Sequence, residues 1–328
     1  MGDRFSEERD EERLYTDFDG KYTALLRKIL EAGDAASKPS RQIDPATGKQ
    51  SWTISLTAEQ IRIDLPAPEV QGDEIVYSGF PKLFFKHLPL EQVAKELAWF
   101  IRGGTNSLDL EARGCSIWKD DAAKASDRGF DYPPGELGPI YGWQWRKHPG
   151  GDQIERAVAK LCETPFARDN VVSAWDVERL NDMVLRPCHY SFQFVCRSRG
   201  RVIHVDCVVT MRSTDVGLGL PFNVASYSLL TILCSIEASQ RTGHDYCPGE
   251  LIVNMADCHV YGNHVEPLRE RLDEFCGSGR MLKAIYALRL PRKMASISAF
   301  ASASTRQIED AFKDKRRWGP FVKLPLLT

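Results

Sequence analysis

The chain has 328 residues, 43% of them apolar, enough to bury a sizeable core and to mark it as globular. A formal charge of −2 gives no overall basic field, so nucleic acid is not expected as the main partner. Any phosphate must be met by a few placed arginines. Nine cysteines without C-x-x-C spacing describe neither a disulfide framework nor a zinc site, so a reduced, cytoplasmic protein without a metal is expected.

In chain order, residues 1–20 read as an acidic arm with no signal-peptide core, and residues 21–328 as one domain. No uncharged apolar run approaches the roughly 20 residues of a membrane span, so no membrane is expected as a partner. Tyr22, Leu25, Leu26, Ile29 and Leu30 follow helical spacing, closed by Gly33. Ala35 to Gln50 mixes Pro, Ser, Gly and Asp and reads as loop. Ser51 to Leu65 alternates and reads as one or two strands. A second helix starts near Pro89, with Leu90, Val93, Leu97, Phe100 and Ile101 on one stripe, and stops at Gly103-Gly104. Lys119 to Glu136 reads as a long polar loop.

Tyr190 to Cys196 and Arg201 to Arg212 form a hairpin through Arg199-Gly200. Ala225 to Ala238 is apolar all round, hence a buried helix. Val265, Leu268, Leu272 and Phe275 mark one more helix, ended by Gly277. Strands and helices interleave without a repeat, which predicts one α/β domain.

The most informative segment is Arg186-Pro187-Cys188-His189-Tyr190, followed by the alternating Ser191-Phe192-Gln193-Phe194-Val195. Pro187 fixes the approach of the chain, and the strand steadies the thiol. Taken alone, Cys188 fits a buried structural cysteine better. Six further segments change that reading: Lys95-Glu96-Leu97-Ala98-Trp99-Phe100, Gly138-Pro139-Ile140-Tyr141-Gly142-Trp143-Gln144-Trp145-Arg146, Ser173-Ala174-Trp175, Arg212-Ser213-Thr214-Asp215, Leu218-Gly219-Leu220-Pro221-Phe222-Asn223 and Asp257-Cys258-His259-Val260-Tyr261-Gly262-Asn263-His264. Together, in order over roughly residues 20 to 300, the seven resemble the thymidylate synthase and pyrimidine nucleotide hydroxymethylase family.

The resemblance implies an α/β (α+β) fold with a large mixed β-sheet flanked by helices, dimerising through the sheet. It also implies 5,10-methylenetetrahydrofolate as co-substrate, no metal, and a pyrimidine nucleotide as substrate. Cys188 would be the thiolate that adds to C6 of the base and makes C5 nucleophilic. Such a thiol needs a cation beside it. Arg212 matches the arginine that reaches both phosphate and sulfur, although a strand-end ion pair with Asp215 is its simpler reading. Arg168 matches a phosphate ligand donated by the partner subunit, and Arg41 a loop arginine that closes over phosphate. His189 and Ser213 would also face the nucleotide.

Asn223 would read the base edge with an amide that both donates and accepts. Because related deoxycytidylate hydroxymethylases tend to carry Asp there, Asn223 alone favours uracil. His259 and Tyr261 match the pair on the sugar hydroxyl. Glu96, on an apolar helix stripe, would be partly desolvated and suited to relay protons, against a plain helix-surface Glu. Tyr141 would assist removal of the C5 proton and Asp215 would hold the pterin. Trp118, Leu185, Leu218 and Phe222 would wall the folate site, with core packing as their other reading.

Several residues depart from the family pattern. Its Ser-Arg-Arg triplet reads Ala167-Arg168-Asp169, Asp121 stands where a second folate-side tryptophan is expected, and the loop 122–134 is longer than in most relatives. The segment Trp318 to Thr328 lacks the usual closing tail. Each change loosens the exclusion of water, and the reaction ends in methyl when water is shut out and in hydroxymethyl when it is admitted. The expected activity is therefore hydroxymethylation, with the closest likeness to enzymes acting on CMP. Thymidylate synthesis from dUMP, dCMP hydroxymethylation and a non-catalytic nucleotide- or RNA-binding relative are the alternatives.

Overall fold

The computed structural model describes residues 13–32, 38–43, 48–277 and 281–313. The acidic stretch Ser6 to Glu12 and the segment Trp318 to Thr328 lie outside the described residues. The helices are α1 (Asp17–Ala32), α2 (Leu90–Ile101), α3 (Ser107–Glu111), α4 (Lys119–Ala123), α5 (Tyr141–Arg146), α6 (Gln153–Glu163), α7 (Gly219–Thr242), α8 (Gly262–Cys276), α9 (Ile297–Ser302) and α10 (Thr305–Phe312). The strands are β1 (Arg13–Tyr15), β2 (Pro39–Ile43), β3 (Gln50–Asp64), β4 (Glu69–Gln71), β5 (Glu74–Ser78), β6 (Val171–Ser173), β7 (His189–Arg199), β8 (Val202–Met211), β9 (Thr214–Asp215), β10 (Tyr246–Tyr261), β11 (Met281–Lys283) and β12 (Ala287–Pro291).

Seven strands form one sheet in the order β2-β3-β10-β8-β7-β6, with β9 paired to β10. β10 runs antiparallel to β3 and parallel to β8, so the sheet is mixed. The hairpin β7–β8 turns at Gly200, whose φ of +64° suits a residue without Cβ. Phe192 and Phe194 of β7 and Val205, Cys207, Val209 and Met211 of β8 all bury their side chains. They meet α7, whose residues from Leu220 to Ala238 are almost all buried.

Burying α7 requires its polar groups to be satisfied. Ser228, Thr231 and Ser235 donate to carbonyls one turn back at 2.7, 2.7 and 2.8 Å. Gly243, at φ +73°, closes the helix. Among the described residues α7 alone is long and apolar enough to cross a membrane, and it is a core helix here.

α1 begins five residues before the apolar stripe. The buried Asp19 carboxylate accepts from the amide and hydroxyl of Thr16 and from the amides of Phe84 and Phe85. These bonds fasten the helix to the segment leading into α2.

Two expectations need correction. Within the stretch read as loop from Ala35 to Gln50, Pro39–Ile43 is an edge strand on β3, where a leading proline is tolerated. Residues 119–136 open with α4, and Arg128 and Tyr132 tie the remainder to the carbonyls of Val184 and Asp182. Of the one or two strands expected from Ser51 to Leu65 there is one, β3, from Gln50 to Asp64. The strand β10 has no clear alternation, because both of its faces are buried over Leu251–Val253 and Cys258–Val260 and it carries Pro248 and Gly249 at a register shift.

α5 packs against the turn after α2 so closely that a Cβ on Gly142 would lie 2.4 Å from the Gly104 carbonyl oxygen. Gly142→Ala is expected to destabilise the fold by about 1–3 kcal/mol, read as a lower urea midpoint at unchanged slope. Gly20→Ala, on the open face of α1 with nothing within 4 Å, should instead stabilise by about 0.5–1 kcal/mol.

Candidate functional site

Cys188 sits at the entrance to β7, half-buried, and its backbone N–H donates to the Tyr141 hydroxyl at 2.7 Å. The Gly138–Arg146 segment aims Tyr141. Gly138 takes φ +76°, and a Cβ there would lie 2.0 Å from the Asp182 carbonyl oxygen. Gln144 Nε2 then bonds the Pro139 carbonyl at 3.0 Å, which braces the turn. Tyr141 is buried, and burial raises its pKa well above the ordinary phenol value, so it remains a neutral phenol.

Arg212, just after β8, wraps around the thiol. Its Nε donates to the Pro187 carbonyl at 2.8 Å, and one terminal nitrogen meets the Arg186 carbonyl at 2.8 Å and Cys188 Sγ at 3.7 Å. The ion pair with Asp215 does not form. Asp215 Oδ1 accepts from the Leu218 amide at 3.2 Å instead.

His189 looks like a natural base for its neighbour Cys188, but its surroundings oppose that role. It is buried and stacked on Tyr141 with ring centroids 4.0 Å apart and planes 12° from parallel. Its Nδ1 is 2.8 Å from the Tyr227 hydroxyl, and burial lowers its pKa to about 3. It is therefore a neutral imidazole, and Arg212 is the cation at the sulfur.

Glu96 faces the same cluster from α2. Its Oε1 accepts from Trp118 Nε1 at 2.8 Å, and desolvation raises its pKa to about 7. Trp118 lies edge-on to Tyr141 at 6.0 Å. Contacts thus link Glu96, Trp118, Tyr141, His189, Cys188 and Arg212 into one wall.

A second group gathers around β9 and the start of α7. His259 pairs with Asp215 in register across β10 and β9. His259 Nδ1 lies 3.5 Å from Asp257 Oδ1, while Lys38 meets the other oxygen at 3.2 Å, and the two hold that carboxyl below its usual range. Tyr261 meets the His259 ring edge-on at 5.1 Å. Asn223 projects from the first turns of α7 beside Gly219. Leu185, Leu218 and Phe222 pack partly buried against the core, which leaves part of each surface open. Ser213 is half-buried between the two groups.

Arg168 and Ala167 stand apart, on the turn between α6 and β6. Arg168 is exposed, and its carbonyl accepts from Gln193. Its guanidinium forms no ion pair among the described residues. Asp169 pairs with Lys160 at 2.5 Å. Arg41 lies on β2, with its side chain outside the described residues.

Three residues carry little sequence signal. Tyr227 anchors His189 from inside an apolar helix. Arg128, in the turn after α4, pairs with Asp121 of that helix at 3.0 Å. Lys86 is buried, bonds the Gly217 carbonyl, and has its pKa lowered to about 8 by desolvation. Among the described residues no group of His, Cys, Asp and Glu is arranged to hold a metal ion.

The folded chain holds a proton on Glu96 that the unfolded chain releases near its ordinary value. That contribution to stability is fully present below the ordinary carboxylate pKa and is lost as pH rises through about 7. Glu96→Gln removes this loss. From about pH 5 to about pH 8 its unfolding free energy should gain on wild type by roughly 2–3 kcal/mol in urea titrations. Parallel pH curves would show a solvated Glu96 instead. The thymidylate synthase family model matches residues 20–307, which span both groups of side chains.

Proposed function

Because the chain belongs to the thymidylate synthase family, a family of methylenetetrahydrofolate-dependent one-carbon transferases, we propose that it converts CMP to 5-hydroxymethyl-CMP. The sulfur of Cys188 adds to C6 of the base, and the electron pair reaches C5, which attacks the methylene carbon of 5,10-methylenetetrahydrofolate. Loss of the C5 proton and departure of tetrahydrofolate leave an exocyclic methylene. Water adds its oxygen there, and return of the electron pair expels the thiolate. Carbon oxidation levels balance without a redox partner.

The observation that carries this reading is the arrangement at Cys188. A guanidinium 3.7 Å from the sulfur favours the thiolate, and it is the same Arg212 that would meet the phosphate. Tyr141 accepts from the Cys188 amide, so its own hydrogen is free to act on the base or on water beside it. Glu96, poised at about 7, can take and return a proton near neutral pH. Asn223 would read the base, and His189, Ser213, His259 and Tyr261 would hold the nucleotide. Trp118, Leu185, Asp215, Leu218 and Phe222 would receive the folate. The partly open apolar surfaces of Leu185, Leu218 and Phe222 fit that group.

The choice of water over hydride rests on Asp121. In place of an apolar wall the loop presents an ion pair, Asp121 with Arg128, which keeps this side of the folate pocket hydrated. The smaller Ala167 leaves room for a shifted ribose. The likeness of the sequence to the CMP 5-hydroxymethylase of mildiomycin biosynthesis supports CMP and a place in antibiotic biosynthesis. Asn223 favours the second reading, conversion of dUMP to dTMP, because its amide complements uracil without a flip.

We further propose a cytoplasmic homodimer whose catalytic domain, expected over residues 21–328, takes in β1 and the start of α1 as well, behind an N-terminal arm. The exposed Val171 and Val195 on the sheet and the exposed Arg168, whose guanidinium has no ion pair among the described residues, support dimerisation through the sheet, with Arg168 reaching the partner's phosphate.

Tritium release from C5 of CMP, dCMP and dUMP with methylenetetrahydrofolate ranks the nucleotides, and product mass separates the two outcomes. CMP is expected to release fastest and to gain the mass of CH2O, with no absorbance rise from dihydrofolate. Fastest release from dUMP with a dihydrofolate signal would support the second reading. Cys188→Ala should lower turnover by a factor on the order of 10⁴ or more while nucleotide binding persists. A non-catalytic binding protein would show no turnover in either form.

A further inference from the structure

An open cavity of about 780 Å³ lies at the C-terminal end of α2, lined by Trp99, Arg102, Asp109, Arg113, Lys147 and the start of α10. None of the residues assigned to nucleotide or folate lines it. Three cations face one carboxylate, and none of the three forms an ion pair among the described residues. Arg102 spends one terminal nitrogen on the Ala301 carbonyl at 2.6 Å. Its pKa falls to about 10, first through burial and then through the neighbouring Arg113 charge. The two guanidiniums therefore repel one another in a partly dry setting.

Two further features show that the site is shaped. Trp99 is buried, and its indole Nε1 has no hydrogen-bond partner among the described residues. That nitrogen lies over Gly104, where a Cβ would come within 2.1 Å of it. The Lys147 stem crosses Gly103, at φ +76°, where a Cβ would lie 2.8 Å from Lys147 Cε. Glycine at both positions lets the indole and the ammonium stem close on the same hollow. Arg102 and Arg113 stand half-buried side by side, so an anion between them relieves their repulsion.

We infer that this cavity is a second anion site, distinct from the catalytic one, built to take a phosphate group between Arg102, Arg113 and Lys147. The phosphate oxygens accept from the two guanidiniums and the ammonium. Asp109 opposes an anion from one side and favours a ligand whose charge lies toward the three cations. The phosphate belongs either to free orthophosphate or to a nucleoside triphosphate, and the cavity has room for the larger ligand.

Equilibrium dialysis of the full chain with labelled orthophosphate and, separately, labelled ATP tests this. An Arg212→Gln background removes the main cation of the catalytic site from the count. In that background one equivalent of phosphate ligand is expected to bind, whichever nucleotide proves to be the substrate. Arg113→Gln and the exposed Lys147→Gln should each weaken binding roughly tenfold. Arg113→Lys should recover part of the loss. Tighter binding of ATP identifies the triphosphate as the ligand, and equal binding identifies the free ion. Absence of binding in the Arg212→Gln background, or affinity unchanged in the Arg113→Gln/Lys147→Gln double variant, overturns the assignment.

Discussion

The bond from the Cys188 amide to the Tyr141 hydroxyl, with Tyr141 stacked on His189, is the joint on which the rest of the site depends. It fastens Cys188, at the entrance to β7, to α5, while Tyr227 fastens His189 to α7. Three elements distant in sequence thus fix one sulfur atom. A phenol serves here because it can accept from the amide without carrying charge into the core. His189 is equally constrained. Burial makes it neutral, so the charge that tunes the sulfur has to come from the solvent side, and Arg212 supplies it through a fork that also grips two backbone carbonyls.

That division separates a dry, rigid side from a wetter, adjustable one. On the dry side, Glu96 hangs from a buried helix with one hydrogen bond from Trp118, and its proton affinity is set by desolvation. On the wet side, Asp121 of α4 pairs with Arg128 in the turn that follows it. In the proposed reaction the first side handles protons for the steps common to the family, and the second decides what meets the exocyclic carbon once it has formed.

Much of this was legible in the sequence because helices with a single apolar stripe and a hairpin with clean alternation announce themselves. The stripe of Leu90, Val93, Leu97 and Phe100 and the faces of β7 and β8 are of that kind. β10 shows no period because both of its faces are buried over Leu251–Val253 and Cys258–Val260 and because Pro248 and Gly249 interrupt it. β2 was hidden by turn-forming residues whose pairing depends wholly on its neighbour β3. For the site, the motifs located Cys188, Arg212, Tyr141 and Glu96, and the folded chain joins them by contact. The sequence could not show that Arg212 leaves Asp215 unpaired, that Tyr227 holds His189, or that Arg128 answers Asp121. Those pairings span 24 to 38 residues or join a short helix to the turn after it, and only the fold brings them together.

The central claim is that Cys188 forms a bond to C6 while C5 takes up the one-carbon unit. A fluorine at C5 cannot leave as a proton does, so 5-fluoro-CMP with methylenetetrahydrofolate should arrest the reaction with the nucleotide still bonded to sulfur. Intact-protein mass followed by peptide mapping reads the result directly. The account predicts one adduct per chain carrying both nucleotide and folate, located on Cys188 and absent from Cys188→Ala. An unmodified chain that still consumes CMP, or an adduct on another residue, would contradict it.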